Sequence, residues 1–190
     1  MTLPDIRSRF KFRRWEQAGY CYKEAAGELG IPGQVMTHRD VTAQRQLAGG
    51  TGDHAGHMIG VQFGAPGGHE NMGLQNANMN TFAPRSLHEI FRGHGGSYHD
   101  LESRWSSKLK QGYRISVVVQ DKYHLNENRP FVRWVQWAET DSKGKQEPPQ
   151  TLDFGNFSSP QLRKAMGEKP GPVTNGGKGA RVLNLFGPRS

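Results

Sequence analysis

The residues most suited to ligand binding or acid–base chemistry lie between positions 49 and 80. Residues 49–60 read GGTGDHAGHMIG and place His54 and His57 among glycines. Residues 70–80 read ENMGLQNANMN and add four asparagines and a glutamine. Glycine lets the backbone pass close to a ligand, and amide oxygens supply uncharged ligands. This density of glycine, histidine and amide side chains predicts a functional site.

Two simple interpretations of this segment are weak. His54 and His57 are three residues apart, which is a zinc-ligand spacing mainly on helices, and the surrounding glycines disfavour a helix. The stretch GGTGDHAG resembles a phosphate-binding loop, but it lacks the Lys-Ser/Thr ending of a P-loop. The other histidines are scattered in polar surroundings and are expected at the surface.

Hydrolysis of a phosphodiester uses these residue types more completely. The reaction needs a base that deprotonates water and a hard cation that neutralises charge on the phosphate. Histidine suits the first task because its pKa of about 6.5 leaves it neutral near pH 7. An asparagine oxygen can hold the cation, because Mg²⁺ prefers oxygen ligands and keeps most of its waters. His57 and one of the downstream asparagines supply this pair.

Four segments in order carry a family resemblance over roughly Arg45 to Trp137. They read GDHAGHMIG, NMGLQNANMN, HDLESRWSSKLKQG, and YRISVVVQDKY followed by RPFVRWVQW. Together they resemble the DNA/RNA non-specific endonucleases of the ββα-metal, or His-Me finger, superfamily, especially the bacterial polymorphic-toxin type. The resemblance implies an α+β fold with a ββα-metal finger core, an antiparallel sheet and flanking helices. It also implies a metal-dependent endonuclease with little sequence specificity.

The resemblance assigns roles to four residues. His57 matches the general base of the D-R-G-H segment. Asn71 begins the following motif, as a transition-state or backbone-orienting group, and Asn80 occupies the metal-ligand position 80 − 57 = 23 residues after the base. Glu102 matches a glutamate near the water shell of the metal, so it is both a catalytic and a metal-site candidate. The implied cofactor is Mg²⁺, with Mn²⁺ as an alternative.

Four further residues are candidates for substrate binding. His54 stands where the family has an aspartate, and Asp53 directly precedes it. Ala55 replaces the arginine of D-R-G-H, so a phosphate contact must come from elsewhere, for example from Arg45 or the basic N-terminal cluster. Gln75 is the glutamine of the asparagine-rich motif.

The charge of the chain favours a polyanionic partner. The net charge is +8 and the isoelectric point is about 9.8, which fits DNA or RNA as partner. The densest basic cluster, RSRFKFRRW at residues 7–15, is either a phosphate-contacting arm or a solvated face with its aromatic rings turned inward. A non-catalytic nucleic-acid-binding module, stacking bases on this cluster and on RWVQW, is the alternative function. The toxin-type resemblance further implies a cognate immunity protein.

Other classes fit poorly. A single cysteine excludes an internal disulfide framework and a thiolate zinc cage. The sequence shows no apolar run long enough to span a bilayer and no secretory signal, so no membrane partner is expected and the cellular location stays open. A toxin domain delivered by a secretion system would have such a sequence.

The predicted domain organisation has three parts. Residues 1–34 form a basic segment with a helix, residues 35–139 form the nuclease core, and residues 140–190 form an irregular Gly/Pro-rich tail. The individual elements are predicted as helices over 15–29 and 99–112, strands over 57–63, 113–123 and 129–139, strand entry over 35–47, and a helical turn over 159–167.

Overall fold

A five-stranded antiparallel sheet and a separate two-stranded hairpin make up the framework. The computed structural model describes residues 9–35, 37–80 and 97–156. The strands are β1 Phe10–Gln17, β2 Tyr20–Glu28, β3 His54–His57, β4 Met72–Gln75, β5 Arg114–His124, β6 Val132–Thr140 and β7 Gln150–Gly155. The helices are α1 Val41–Ala48, α2 Ala77–Asn80 and α3 Tyr98–Lys110, with short 3-10 turns at Val61–Phe63 and His69–Asn71. The large sheet has the order β1-β2-β5-β6-β7, and β3 pairs with β4. The α+β prediction with an antiparallel sheet is confirmed.

The helix predicted over residues 15–29 is wrong, because this segment belongs to a β hairpin. Gln17 pairs with Tyr20, so Ala18 and Gly19 form a two-residue turn, and both have positive φ angles of 50° and 80°. Such a turn matches the twist of the flanking strands. The helix-forming residues here are overridden because β2 pairs along its whole length with β5.

Two further local predictions are corrected around the hairpin of β3 and β4. The segment 35–47, expected as strand entry, instead contains most of α1, whose N-terminus is capped by the Asp40 side chain accepting from the Ala43 amide at 2.9 Å. The strand expected over 57–63 is wrong, because β3 spans His54–His57 and ends at the first residue of the expected range. The glycines before His54 therefore lead directly into β3.

The predictions for the second half of the described chain are largely confirmed. The helix near 99–112 is α3, and Ser97 and Asp100 form a capping box at its start. The strands near 113–123 and 129–139 are β5 and β6, and they pair antiparallel. The tail predicted to be irregular from residue 140 instead contributes β7, which pairs with β6. The helical turn predicted over 159–167 lies outside the described residues.

The main core lies between α3 and one face of the large sheet. Trp105 of α3 is buried and packs edge to face against Trp137 of β6, Tyr98 and Phe63, with centroid distances of 5.8–6.3 Å. Leu101 and Leu109 share its face of the helix and are also buried. This packing fixes α3, and with it the side chain of Glu102, against the sheet.

A fully buried ion pair lies within this core. The Arg133 guanidinium donates two hydrogen bonds of 2.7 Å to Asp121 on the neighbouring strand, and neither side chain is exposed. Arg133 also donates to the His57 carbonyl at 3.1 Å and lies 4.7 Å from the Tyr98 ring centroid. The pair therefore connects the large sheet to the end of β3.

None of the helices in the described ranges has the length and apolar character needed to cross a bilayer.

Replacing Arg133 by alanine leaves Asp121 buried without its counter-charge, so the free energy of unfolding should fall by about 3–5 kcal/mol. Urea denaturation of Arg133→Ala and wild type measures the change. Lys145→Ala is the matched control, because its ion pair with Glu147 is exposed and its loss should not change the midpoint. Equal effects of the two substitutions would show that the buried pair does not support the fold.

Candidate active site

The hairpin of β3 and β4, followed at once by α2, forms the frame of the site. His57 at the end of β3 pairs with Met72 at the start of β4, and His54 pairs with Gln75 at the other end. Gly56 has no room for a side chain, because an added Cβ would lie 2.4 Å from the Gln75 side chain and 2.6 Å from Oδ1 of Asn80. Glycine before His57 therefore allows α2 to lie directly on β3.

His57 has the environment of a neutral general base. Burial, the nearby positive charge of Arg39 and then that of Arg133 lower the pKa of its ring, while a hydrogen bond to the Gly67 backbone opposes them. Its Nε2 atom is buried and has no hydrogen-bond partner among the described residues. The His57 carbonyl accepts from Arg133 and, at 3.2 Å, from Gln75. The main chain is thus held in place while one ring nitrogen keeps a free lone pair.

Glu102 meets the chain just beyond His57. Its carboxylate accepts a hydrogen bond of 2.8 Å from the Gly60 amide, three residues after His57. Burial raises the pKa of Glu102 to about 7, against the opposing effects of the Gly60 hydrogen bond and of the positive charges of Arg133 and Arg39. An added Cβ on Gly60 would lie 2.8 Å from this carboxylate, so glycine permits the contact.

Asn80, the predicted metal ligand, lies at the end of α2 against β3. Its Nδ2 atom lies 3.4 Å from Nδ1 of His54, and its Oδ1 atom lies over Gly56, the residue before His57. His54 is exposed and Asn80 is half-buried. The structure therefore brings His54 and Asn80 together beside His57.

Asn71 is a clamp for the backbone of the site. It is fully buried, donates to the carbonyls of Ile59 and Pro66 at 2.7 and 2.8 Å, and accepts from the Ile59 amide at 3.0 Å. These bonds tie the segment after β3 to the loop before β4. Of the two roles that the sequence leaves open for Asn71, these contacts correspond to the backbone-orienting one.

The remaining predicted substrate-binding residues make different contacts. Asp53 accepts two hydrogen bonds from Nη1 of Arg129, each of 2.5 Å. Gln75 is buried against the His57 carbonyl, with its Oε1 atom lacking a partner among the described residues. Arg45 is exposed in the last turn of α1. In these positions Asp53 and Gln75 act as internal supports.

Arg39 was not identified from the sequence. Of the positive charges that lower the pKa of His57, that of Arg39 has the larger effect. Arg39 is exposed, and its charge lowers the pKa of both His57 and Glu102. Gly67 explains its position, because an added Cβ there would lie 2.2 Å from the His38 carbonyl and 3.1 Å from the Arg39 Cα atom. Gly67 thus bonds the His57 ring while the main chain of residues 38–40 packs against it. The residues around Arg39 gave no signal of this position, and the available signal lay in the glycine-rich loop at 64–68.

Two supporting residues were also missed. Lys23 of β2 donates hydrogen bonds of 2.5 Å to the carbonyls of His69 and Met72, which holds the loop before β4 against the sheet. Asn156 is buried, donates to the carbonyls of Leu74 and Pro130 and accepts from the Asn76 amide. Lys23 could have been found from its place on the same strand face as Cys21 and Ala25, whereas Asn156 follows a segment with no distinctive pattern.

The donor set near His57 fits a water-rich Mg²⁺ site better than a zinc site. No group of three His, Cys, Asp or Glu side chains in the described ranges is placed to hold a metal ion, whereas catalytic zinc takes three protein ligands. Asn80 offers one amide oxygen and Glu102 one carboxylate, which are oxygen ligands of the kind that Mg²⁺ uses together with water.

The solved structures that are similar to this chain include two nucleases. No protein-family model matches the chain, and no curated protein matches it. An extracellular nuclease is 16% identical, with a TM-score of 0.45, over 80% of this chain and 87% of that chain. An extracellular endonuclease is 17% identical, with a TM-score of 0.43, over 78% of this chain and 79% of that chain.

Removing the charge of Arg39 should raise the pKa of the His57 ring, because a nearby cation disfavours imidazolium. The measurement is an NMR titration of the histidine rings in Arg39→Gln and wild type. Arg45→Gln removes the same charge from α1 and should leave the His57 titration unchanged. A shift of the same size in both variants would assign the effect to net charge alone.

The raised pKa of Glu102 should make stability depend on pH. Between about pH 4.5 and 7 the unfolded chain releases the proton that folded Glu102 retains, so stability falls as the pH rises through this window. Glu102→Gln removes the titration and keeps an acceptor for the Gly60 amide. In EDTA, the variant should gain on the order of 2 kcal/mol relative to wild type between pH 5 and pH 8. Urea denaturation measures the free energy of unfolding of both proteins across this range. A difference between them that does not change with pH would contradict the raised pKa of Glu102.

Proposed function

We propose that the protein is a metal-dependent endonuclease that hydrolyses phosphodiester bonds of DNA or RNA with little sequence specificity. The observation that carries this function is His57, whose buried Nε2 has no partner among the described residues and whose ring is kept neutral by burial and by Arg39. A neutral imidazole with a free lone pair beside an arginine suits the activation of water next to a phosphate.

The chemical step assigned to His57 is the removal of a proton from water. As the proton moves to the ring nitrogen, the water oxygen forms a bond to phosphorus and the bond from phosphorus to the leaving oxygen breaks. The Arg133 and Gln75 hydrogen bonds to the His57 carbonyl fix the main chain during this transfer. The Gly67 hydrogen bond orients the ring.

Among the described residues, Arg39 is proposed to contact the substrate phosphate. It is exposed and carries its charge next to both His57 and Glu102. A guanidinium presents paired donors that match phosphate oxygens. The D-R-G-H form has an arginine at the position of Ala55. Arg39 is proposed to supply the positive charge that alanine lacks.

Asn80 and Glu102 are proposed to hold Mg²⁺, with Mn²⁺ as a substitute. A cation held by these two side chains would neutralise charge that develops on the phosphate and the leaving oxygen. Glu102 meets the Gly60 amide immediately beyond His57, and Asn80 lies over the residue before it. The two oxygen ligands therefore flank the end of β3.

Low sequence specificity and a toxin role complete the proposal. The net charge of +8 supports binding through phosphates, which carry no sequence information. The resemblance of the four sequence segments to toxin-type endonucleases supports an effector that a cognate immunity protein neutralises in the producing cell.

Cleavage of supercoiled plasmid and of structured RNA, with Mg²⁺, Mn²⁺ or EDTA, tests the function. Wild type should degrade at least one polymer when metal is present, and His57→Ala should reduce the rate by about a hundred-fold or more. His99→Ala is the matched control, because His99 is an exposed histidine in the first turn of α3 and should retain full activity. Asn80→Ala should raise the Mg²⁺ concentration needed for half-maximal rate.

The same experiment distinguishes the endonuclease from the alternative function, a non-catalytic nucleic-acid-binding module. If neither polymer is cut with any metal, and wild type and His57→Ala retain both polymers equally in a gel shift, the protein binds nucleic acid without cleaving it. Activity that survives His57→Ala would remove His57 from the mechanism.

A further inference from the structure

The face of the large sheet turned away from the hairpin of β3 and β4 carries aromatic and basic side chains. Residues in register on neighbouring antiparallel strands point to the same face, and the direction alternates along each strand. Trp15 pairs with Tyr22, which pairs with Lys122, so the three side chains share one face. Asp121 and Arg133 are offset by one residue from this row and point to the other face, where Arg133 reaches His57.

Aromatic rings cover one end of this outer face. Trp15 and Tyr22 are stacked, with centroids 5.2 Å apart and ring planes only 9° from parallel. Phe131 stacks on His124 at 4.4 Å and approaches Tyr20 at 5.8 Å. His124 is exposed and the other four rings are partly exposed. These five rings are called the aromatic platform below.

Two cations lie over the aromatic platform. The Lys122 ammonium is 3.9 Å from the Tyr20 ring centroid and also lies over Tyr22 and Phe131. The Arg13 guanidinium is 4.6 Å from the Trp15 centroid. Glu24, in the adjoining row, is buried and accepts two hydrogen bonds from Arg13, which compensate its charge. The net positive charge of the platform therefore comes from Lys122, because the charge of Arg13 is balanced by Glu24.

We propose that the aromatic platform is a second, non-catalytic binding site for single-stranded nucleic acid. Bases of a single strand stack on solvent-accessible aromatic rings, while lysine and arginine contact the phosphates between them. Bases inside a duplex are already stacked on one another, so a duplex gains less from such a surface. This assignment uses Arg13 and Trp15 of the basic, aromatic N-terminal cluster, which take no part in the site around His57.

The platform lies on the opposite side of the sheet from His57, so it holds the polymer rather than the bond that is cut. For this effect on turnover the inference rests on the proposed endonuclease function. A long single strand held on the outer face stays near the catalytic site between cleavage events. Loss of the platform should therefore raise KM for long single-stranded substrates and leave kcat unchanged.

The test measures binding of a fluorescein-labelled deoxythymidine decamer by fluorescence anisotropy in EDTA, where no cleavage takes place. Trp15→Ala should weaken binding by about five- to fifty-fold, because stacking on one ring is lost. Lys122→Glu should also weaken binding, and by more than Lys143→Glu, which makes the same charge change in the turn after β6 at the other end of the sheet. An unlabelled duplex of equal length should compete less well than the unlabelled single strand.

Each outcome has a distinct meaning. Affinities of Trp15→Ala and Lys122→Glu within two-fold of wild type, with unchanged melting temperatures, would overturn the platform. The platform would also be overturned if sedimentation showed a dimer that Trp15→Ala dissociates, because the face would then join two copies of the chain. If single-strand binding depends on Trp15 and Lys122 but the protein cuts no polymer, the aromatic platform is supported as a binding site and the proposed endonuclease function is wrong.

Discussion

The buried ion pair of Arg133 and Asp121 is the interaction on which the candidate site depends. Two charges removed from water are tolerated only when their hydrogen bonds are satisfied, and here the third donor group of the guanidinium bonds the His57 carbonyl. The pair also lies under the Tyr98 ring, and the Tyr98 hydroxyl donates to the Met58 carbonyl. The large sheet therefore positions the base through its main chain, and the imidazole remains free for chemistry.

Close backbone approach explains the glycines around His57. Gly56 admits Asn80, Gly60 admits Glu102, and Gly67 admits the segment that carries Arg39. Each replaces a side chain by space for another functional group. The short strand β3 can thus be surrounded by an amide, a carboxylate and a guanidinium, although it is only four residues long.

The sequence predicts the parts of the structure with local signals and misses those set by tertiary pairing. The capped, amphipathic α3 and the alternating β5 and β6 are found, whereas β1 and β2 are not, because the helix-forming residues of β2 become a strand only through pairing with β1 and β5. Alternation also places Arg133 among Val135 and Trp137, a charged residue on an apolar face that signals a buried pair. The position of Arg39 had no local signal, since it depends on contact with Gly67, 28 residues further along the chain.

Asn156 sets a limit on how the chain can be shortened. Its side chain bonds the main chain beside β4 and before β6, and its own amide donates to the Phe131 carbonyl at 2.9 Å. β7, which precedes it, completes the edge of the large sheet. A shortened chain that ends near residue 139, at the edge of the recognisable sequence segments, lacks both the edge strand and this clamp. The smallest folding unit therefore extends through Asn156, beyond the residues by which its chemistry is identified.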